Sequence, residues 1–259
     1  MTGDGNLTYS WDSRDRLSAL SGGATASFTY DAMGRRSGKT VVGTGTSFAY
    51  DGLNAVQELA GGTPSANLLT GLGLDETFSR TDMTQGTRSF VTDALGSTLA
   101  LTDGAGVVKT SYAYEPYGAV TASGEVSGNA AQYTGRENDG TGLYYYRARY
   151  YHPGFGRFVA EDPIGFAGGQ NIYSYVNGNP IGYIDPDGTQ ITFGHGARHL
   201  PGSISQSAAE SAITSYVIPI LPYISPGAGF WGTVNVGGVN LTFRAYPLSC
   251  GKVNIGTYY

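Results

Sequence analysis

Two histidines and an arginine stand close together in the run Gly194-His195-Gly196-Ala197-Arg198-His199. Imidazole titrates near neutrality, so His195 and His199 can act as base and acid in one reaction. Metal-independent RNA cleavage asks for such a pair: one group takes the proton of the ribose 2′-OH and another protonates the leaving oxygen. It also needs cations around the pentavalent phosphate, and Arg198 and Arg244 can each make paired hydrogen bonds to phosphate oxygens. Tyr246 or Tyr258 can stack on a base or donate a proton. Thr257 completes the set, but it reaches the face of Arg244 only if a bulge forms at Gly256. A histidine in a loop is ordinarily just solvated; the neighbouring arginine and flanking glycines make this pair less ordinary.

The four-residue spacing of His195 and His199 would also suit zinc on a helix. Gly196, however, occupies the place of the glutamate in an H-E-x-x-H site, and no third ligand is apparent, so neither metal nor cofactor is expected. Cys250 is the only cysteine. That excludes a disulfide within the chain and a cysteine-based zinc site, and no Cys-x-x-Cys supports a deaminase. DNase, ADP-ribosyltransferase and deaminase chemistry stay open.

The elements that must carry these groups follow from local pattern. Ser203-Ile204-Ser205-Gln206 fits a capping box, and Ala208, Ala212, Ile213, Tyr216 and Val217 then recur at helical spacing. Pro219 should stop that helix and Pro222 confirm the exit. Strands are expected over 230–236, 239–246 and 252–259, the first two joined at Gly237-Gly238. Val239, Leu241, Phe243 and Ala245 alternate with Asn240, Thr242, Arg244 and Tyr246, which places Arg244 and Tyr246 on the open face. Residues 189–259 therefore read as a small α+β domain, a helix plus an antiparallel sheet.

Upstream the texture differs. The chain holds 41 glycines and 20 tyrosines and few charges, a composition for turn-rich β structure. A unit of about twenty residues recurs over 1–130. It is clearest at Tyr9-Ser10-Trp11-Asp12, Phe28-Thr29-Tyr30-Asp31 and Phe48-Ala49-Tyr50-Asp51, with degenerate copies at 91–97 and 112–118. Each reads as a hairpin, with an aromatic on a strand, an Asp accepting turn amides and a Gly at positive φ. Such hairpins are marginal alone and must stack. Met1-Thr2-Gly3-Asp4-Gly5 opens inside a repeat without a cap, as expected of a severed fragment. Neither a signal peptide nor a membrane span is legible, so export would need a dedicated machine.

Net charge is −5 overall, but it divides unevenly. Through Gly188 there are 19 acidic and 12 basic residues; beyond it there are three basic and one acidic. A mildly basic tail is compatible with a nucleic-acid substrate without proving one.

Between repeats and tail, the stretch from Gly142 to Gly188 contains Tyr144-Tyr145-Tyr146-Arg147-Ala148-Arg149-Tyr150-Tyr151, Gly156-Arg157-Phe158, Asn179-Pro180 and two Asp-Pro-x-Gly turns headed by Asp162 and Asp185. These motifs, in this order, resemble the Rhs repeat-associated core, and the upstream units resemble YD repeats. The resemblance implies a mainly β, YD-repeat shell segment over 1–130, a core motif over 131–188, and a separate toxin domain over 189–259.

It further implies autoproteolysis just beyond the second turn, at about Gly188/Thr189. Asp162 and Asp185 would then share one proton, so that the ionised member activates water. Arg149 or Arg157 would bias the ionised member or orient the peptide. Taken singly, each Asp-Pro-x-Gly is an ordinary turn. The family commonly carries Leu where this chain has Thr189, which leaves the cleaved bond open. The tail resembles barnase/EndoU/colicin/RelE-like ribonuclease toxins in element order and residue types. As an Rhs effector the protein would be secreted, through an apparatus such as type VI secretion, into a target-cell cytoplasm during interbacterial competition. It would act on RNA and be neutralised in the producer by a cognate immunity protein. The competing class is a non-enzymatic YD-repeat adhesin or carbohydrate-binding surface protein.

Overall fold

The computed structural model describes residues 1–165, 171–189, 192–193, 204, 206–217, 219–220, 229–247 and 253–258. Twelve strands run in chain order through one antiparallel sheet. They are β1 (Leu7–Trp11), β2 (Leu17–Gly22), β3 (Ala26–Tyr30), β4 (Arg36–Val41), β5 (Thr44–Asp51) and β6 (Asn54–Ala60). The meander continues through β7 (Thr63–Thr70), β8 (Thr77–Asp82), β9 (Gly86–Thr92), β10 (Thr98–Thr102), β11 (Val108–Tyr114) and β12 (Val120–Gly124).

The turns explain the order. Asp31 Oδ1 accepts the amides of Met33 and Arg35 at 2.9 Å each, and Gly34 adopts φ +86°. Asp12 and Asp93 do the same for the amides two and four residues on. Each carboxylate therefore closes a turn tight enough to make consecutive strands neighbours. Asp103 repeats the arrangement with Ala105 and Val107, a further copy without the aromatic signature.

A second sheet holds β13 (Glu137–Asn138), β14 (Tyr144–Tyr146), β15 (Arg149–His152) and β16 (Arg157–Phe158). It is buried on both faces. Tyr145 and Tyr150 join Leu7, Leu17, Leu20 and Phe28 of the first strands, while Tyr144, Tyr146, Tyr151 and Phe158 cluster with Tyr133 and Tyr175. The run of aromatics is thus read by alternation, each face feeding its own core.

Arg36, fully buried, fastens this sheet to β4. Its guanidinium bonds Asp139 and Glu137 and lies over the Tyr145 ring, 4.2 Å from the centroid.

The tail forms its own four-stranded sheet in the order β17-β20-β19-β18, from β17 (Thr192–Phe193), β18 (Phe230–Val236), β19 (Val239–Pro247) and β20 (Val253–Tyr258). Helix α1 (Gln206–Val217) covers it through Ala209, Ile213 and Val217, which meet Val234, Leu241, Phe243 and Ile255. The helix ends before Pro219, and Gly237 and Gly238 take φ +58° and +85° in the hairpin. The sheet is mixed rather than antiparallel. β17 pairs parallel to β20, Phe193 opposite Ile255, because the helix and hairpin between them supply the long crossover that a parallel pair requires. Ser203 of the expected capping box lies outside the described residues. Among the described residues no helix is long and apolar enough to cross a membrane.

Candidate active site

The two Asp-Pro-x-Gly turns, 23 residues apart in the chain, converge on one arginine. In the first, Asp162 Oδ1 accepts the amide of Ile164 at 3.0 Å, and the amide of Gly165 returns to the Asp162 carbonyl at 2.8 Å. In the second, Asp185 Oδ1 accepts the amide of Thr189 at 2.8 Å. Each carboxylate turns its other oxygen to Arg149: Nη2 stands 2.9 Å from Asp162 Oδ2 and 3.4 Å from Asp185 Oδ2. Arg149 is held by β15, by the carbonyl of Ile172 and by the ring of Phe158, whose centroid is 3.6 Å from the guanidinium carbon.

All three side chains are sealed from solvent, Arg149 at 2% exposure, Asp162 at 5% and Asp185 at 3%. One buried cation faces two buried carboxylates, so full ionisation would leave a net negative charge in a low-dielectric site, and a shared proton relieves it. Burial pushes the Asp185 carboxyl up to about 7; attraction to Arg149 opposes this, while Asp162 and Asp187 add to it. Burial also pushes Asp187 up and draws Arg149 below the usual guanidinium range, against the pull of both carboxylates. The pair is therefore equipped to hold one proton at neutral pH.

The peptide joining Gly188 to Thr189 is gripped at both polar ends. Arg149 Nε donates to the Gly188 carbonyl oxygen, and the Thr189 amide donates to Asp185. Gly188 sits at φ +70°, and a Cβ there would lie 2.4 Å from the carbonyl oxygen of Tyr146, so only glycine fits. A cation on a carbonyl oxygen and a protonatable carboxyl at the adjoining nitrogen are what amide cleavage requires at those atoms.

Arg157, the other arginine suggested by the sequence, is exposed on β16 beside Phe155 and paired in register with His152. The structure brings Arg149 to the carboxylates and leaves Arg157 outside. A brace that sequence reasoning missed stands behind the second turn. Arg147 donates to the Pro186 carbonyl and pairs with Asp75, which also holds Arg136. Arg147 is spaced two residues from Arg149 in the aromatic run and could have been noticed; Asp75 lies in a loop without any repeat signal.

In the tail, His195, Arg198 and His199 lie outside the described residues. Arg244 is exposed on β19, its guanidinium 5.3 Å from the ring centroid of Trp231, its register partner on β18. Trp231 is 54% exposed and was not singled out from sequence. On the other side Arg244 pairs with Thr257, and Ala245 with Ile255, so Gly256 is the extra residue of a bulge. The shift puts Thr257 at the register of Arg244 and Tyr258 at that of core residue Phe243. Tyr246 pairs with Asn254. Among the described residues no three His, Cys, Asp or Glu side chains assemble as metal ligands.

No family model matches the chain. It is 37% identical over 202 residues to the tRNA3(Ser)-specific nuclease WapA of Bacillus spizizenii, covering 72% of this chain and 9% of that protein. Its relatives are bacterial nucleases and toxins. Double-stranded DNA deaminase toxin A of Burkholderia cenocepacia is 31% identical over 219 residues, 70% of this chain and 15% of that one. The chain spans about a tenth of the length of the WapA proteins it matches. The fold is shared with the Photorhabdus luminescens Tc holotoxin pore, at a TM-score of 0.59 and 24% identity, over 73% of this chain and 10% of that chain. A tRNA nuclease and a DNA deaminase thus share a comparable fraction of this chain, so the shared segment does not specify which toxin chemistry follows it.

Proposed function

We propose that the chain is a piece of an Rhs-type toxin in which the repeat sheet and core motif form part of a shell, and the core motif severs the bond between Gly188 and Thr189 to free a C-terminal toxin domain. The observation that carries this reading is the geometry at Arg149. One guanidinium bridges Asp162 and Asp185 and also donates to the Gly188 carbonyl, while Asp185 receives the amide of the same peptide. Arg149 stabilises the developing oxyanion, and the carboxylate pair supplies acid and base. Intact mass of the full chain tests it: two fragments meeting at Gly188/Thr189 are expected, and a single uncut chain in Asp162→Asn and Asp185→Asn. An unchanged cut in both variants would remove the pair from the reaction.

The freed domain is proposed to be a metal-independent ribonuclease, with His195 and His199 as base and acid and Arg198 and Arg244 on the phosphate. Trp231 joins Arg244 on the open face as a stacking platform, and Thr257 shares its register. The tRNA nuclease named among the relatives supports an RNA substrate. Delivery through a secretion apparatus into a competitor and neutralisation by an immunity protein complete the reading. Burial of Tyr144, Tyr145, Tyr146, Tyr150, Tyr151 and Tyr175, which a sugar-binding surface would display, favours it over the adhesin alternative. Full chain expressed in a bacterial cytoplasm should halt growth and degrade RNA, with both effects lost in His195→Ala or His199→Ala. Growth arrest with intact RNA would redirect the reading to DNA or protein modification.

A further inference from the structure

On the open face of the tail sheet, cross-strand partners of β18 and β19 form three rungs: Trp231 with Arg244, Thr233 with Thr242, and Asn235 with Asn240. Thr242 is half-buried and the other five are exposed, while the alternating Val234, Val236, Leu241 and Phe243 go to the core under α1. Arg244 is the only charged residue of the six. A nucleic acid lying along this strip would touch few phosphates, so stacking and base contacts must carry its binding. Such contacts reach unpaired bases, not those of an A-form duplex. The last rung is fixed in place. Asn235 Nδ2 donates to Asn240 Oδ1 at 2.8 Å, and Asn235 Oδ1 accepts the amide of Gly238 at 3.1 Å, so the hairpin turn holds both carboxamides. Among the described residues, these bonds leave Asn240 one lone pair on Oδ1 and the two hydrogens of Nδ2 for a ligand.

We infer that the Asn235–Asn240 rung is a base-reading subsite of the ribonuclease proposed above, and that it selects an unpaired adenine beside the nucleotide held at Trp231 and Arg244. The carboxamide of Asn240 presents an acceptor next to a donor, and asparagine pairs in this way with N6 and N7 of adenine. On its Watson–Crick and Hoogsteen edges, adenine alone among the four bases offers a donor beside an acceptor on both, so it is matched whichever of the two faces the strip. Four residues separate Asn240 from Arg244, about 14 Å along a strand, which leaves room for a further nucleotide between phosphate contact and base contact. Thr233 and Thr242, their hydroxyls 3.4 Å apart, occupy the middle rung, where a ribose 2′-hydroxyl can bond. Trp231 supplies affinity without regard to base, and Asn240 supplies the choice. The inference rests on the ribonuclease reading and adds to it which base is selected.

Fluorescence anisotropy of short labelled oligo(A), oligo(C) and oligo(U) RNA tests it, on full chain carrying His195→Ala so that the RNA stays whole. Oligo(A) should bind about fivefold or more tighter than the other two. Asn240→Asp keeps the oxygen that Asn235 needs but has no hydrogen for N7 or N1, so the preference should collapse. Trp231→Ala should weaken all three by about 10- to 100-fold and leave their order intact. A merely structural role for Asn240 would weaken the three alike, and a preference born of stacking alone would survive Asn240→Asp; either result overturns the subsite. Equal binding of the three by the Asn240 protein overturns it as well. Incubating the same RNAs with the unmutated full chain separates the two readings. Cutting without base preference would keep the ribonuclease and reject the subsite, whereas selective binding of oligo(A) with all RNA left whole would keep the subsite and reject the ribonuclease. Failure to bind any of the three would reject the strip as a nucleic-acid surface.

Discussion

Arg149 donates through Nε to the carbonyl oxygen of Gly188, a contact possible because Gly188 has no side chain to collide with the backbone of Tyr146. The same guanidinium separates two buried carboxylates, so one residue joins the charge balance of the core motif to the bond at its end.

Arg149→Leu should abolish cleavage and destabilise the fold by about 3–5 kcal/mol, since it strands two buried carboxyls without their cation. Intact mass gives the first effect and urea denaturation the second. Loss of cleavage without loss of stability would mean that the site relaxes around the missing charge.

Gly188→Ala should stop cleavage while leaving the sheets in place. The added Cβ cannot coexist with the Tyr146 carbonyl oxygen at 2.4 Å, and φ +70° disfavours alanine, so the peptide must move off Arg149. Mass spectrometry reads the cut and circular dichroism the fold.

Cleavage should fall as pH rises through about 7, where Asp185 gives up the proton that the pair shares. The sign for stability follows from linkage. Because the folded carboxyl titrates above its ordinary 3.8, the native state holds the extra proton between roughly pH 4 and 7. Stability therefore declines across that window and levels off above it. Urea midpoints at pH 5 and pH 8 should differ in the parent and converge in Asp185→Asn.

Arg36→Met should cost about 3–5 kcal/mol by leaving Glu137 without its cation and Asp139 with Lys39 alone, and should loosen the core motif from β4. Hydrogen exchange of the amides of β13 and β14 measures that loosening. Unchanged protection would place the attachment in the aromatic contacts instead.

Arg244→Ala and Trp231→Ala should each lower RNA cleavage by about 10–100-fold with little change in melting temperature, because both side chains are exposed on the open strand face. Unchanged RNA cleavage in both would move the substrate to another face.

How much was legible divides by range in the chain. The hairpins could be read locally because an Asp that caps the amides two and four residues later, followed by a positive-φ glycine, closes its turn without help from elsewhere. Even so, Asp103 escaped notice because its neighbours carry no aromatic signature. The tail helix, its stop before Pro219 and the Gly237-Gly238 hairpin were equally local. The parallel pairing of β17 with β20 was not, since it joins segments 62 residues apart through register that no single stretch encodes.

By itself the sequence determined the turns, the alternation of aromatics and the pair of Asp-Pro-x-Gly corners, all of which follow from backbone conformations available to a few neighbouring residues. Only the tertiary structure decided that Arg149 rather than Arg157 meets both carboxylates, that Asp75 braces Pro186 through Arg147, and that a bulge sets Thr257 beside Arg244. Those outcomes depend on which buried charges can find partners once distant segments are packed together, and the electrostatic cost of a mistake is felt only in the assembled core.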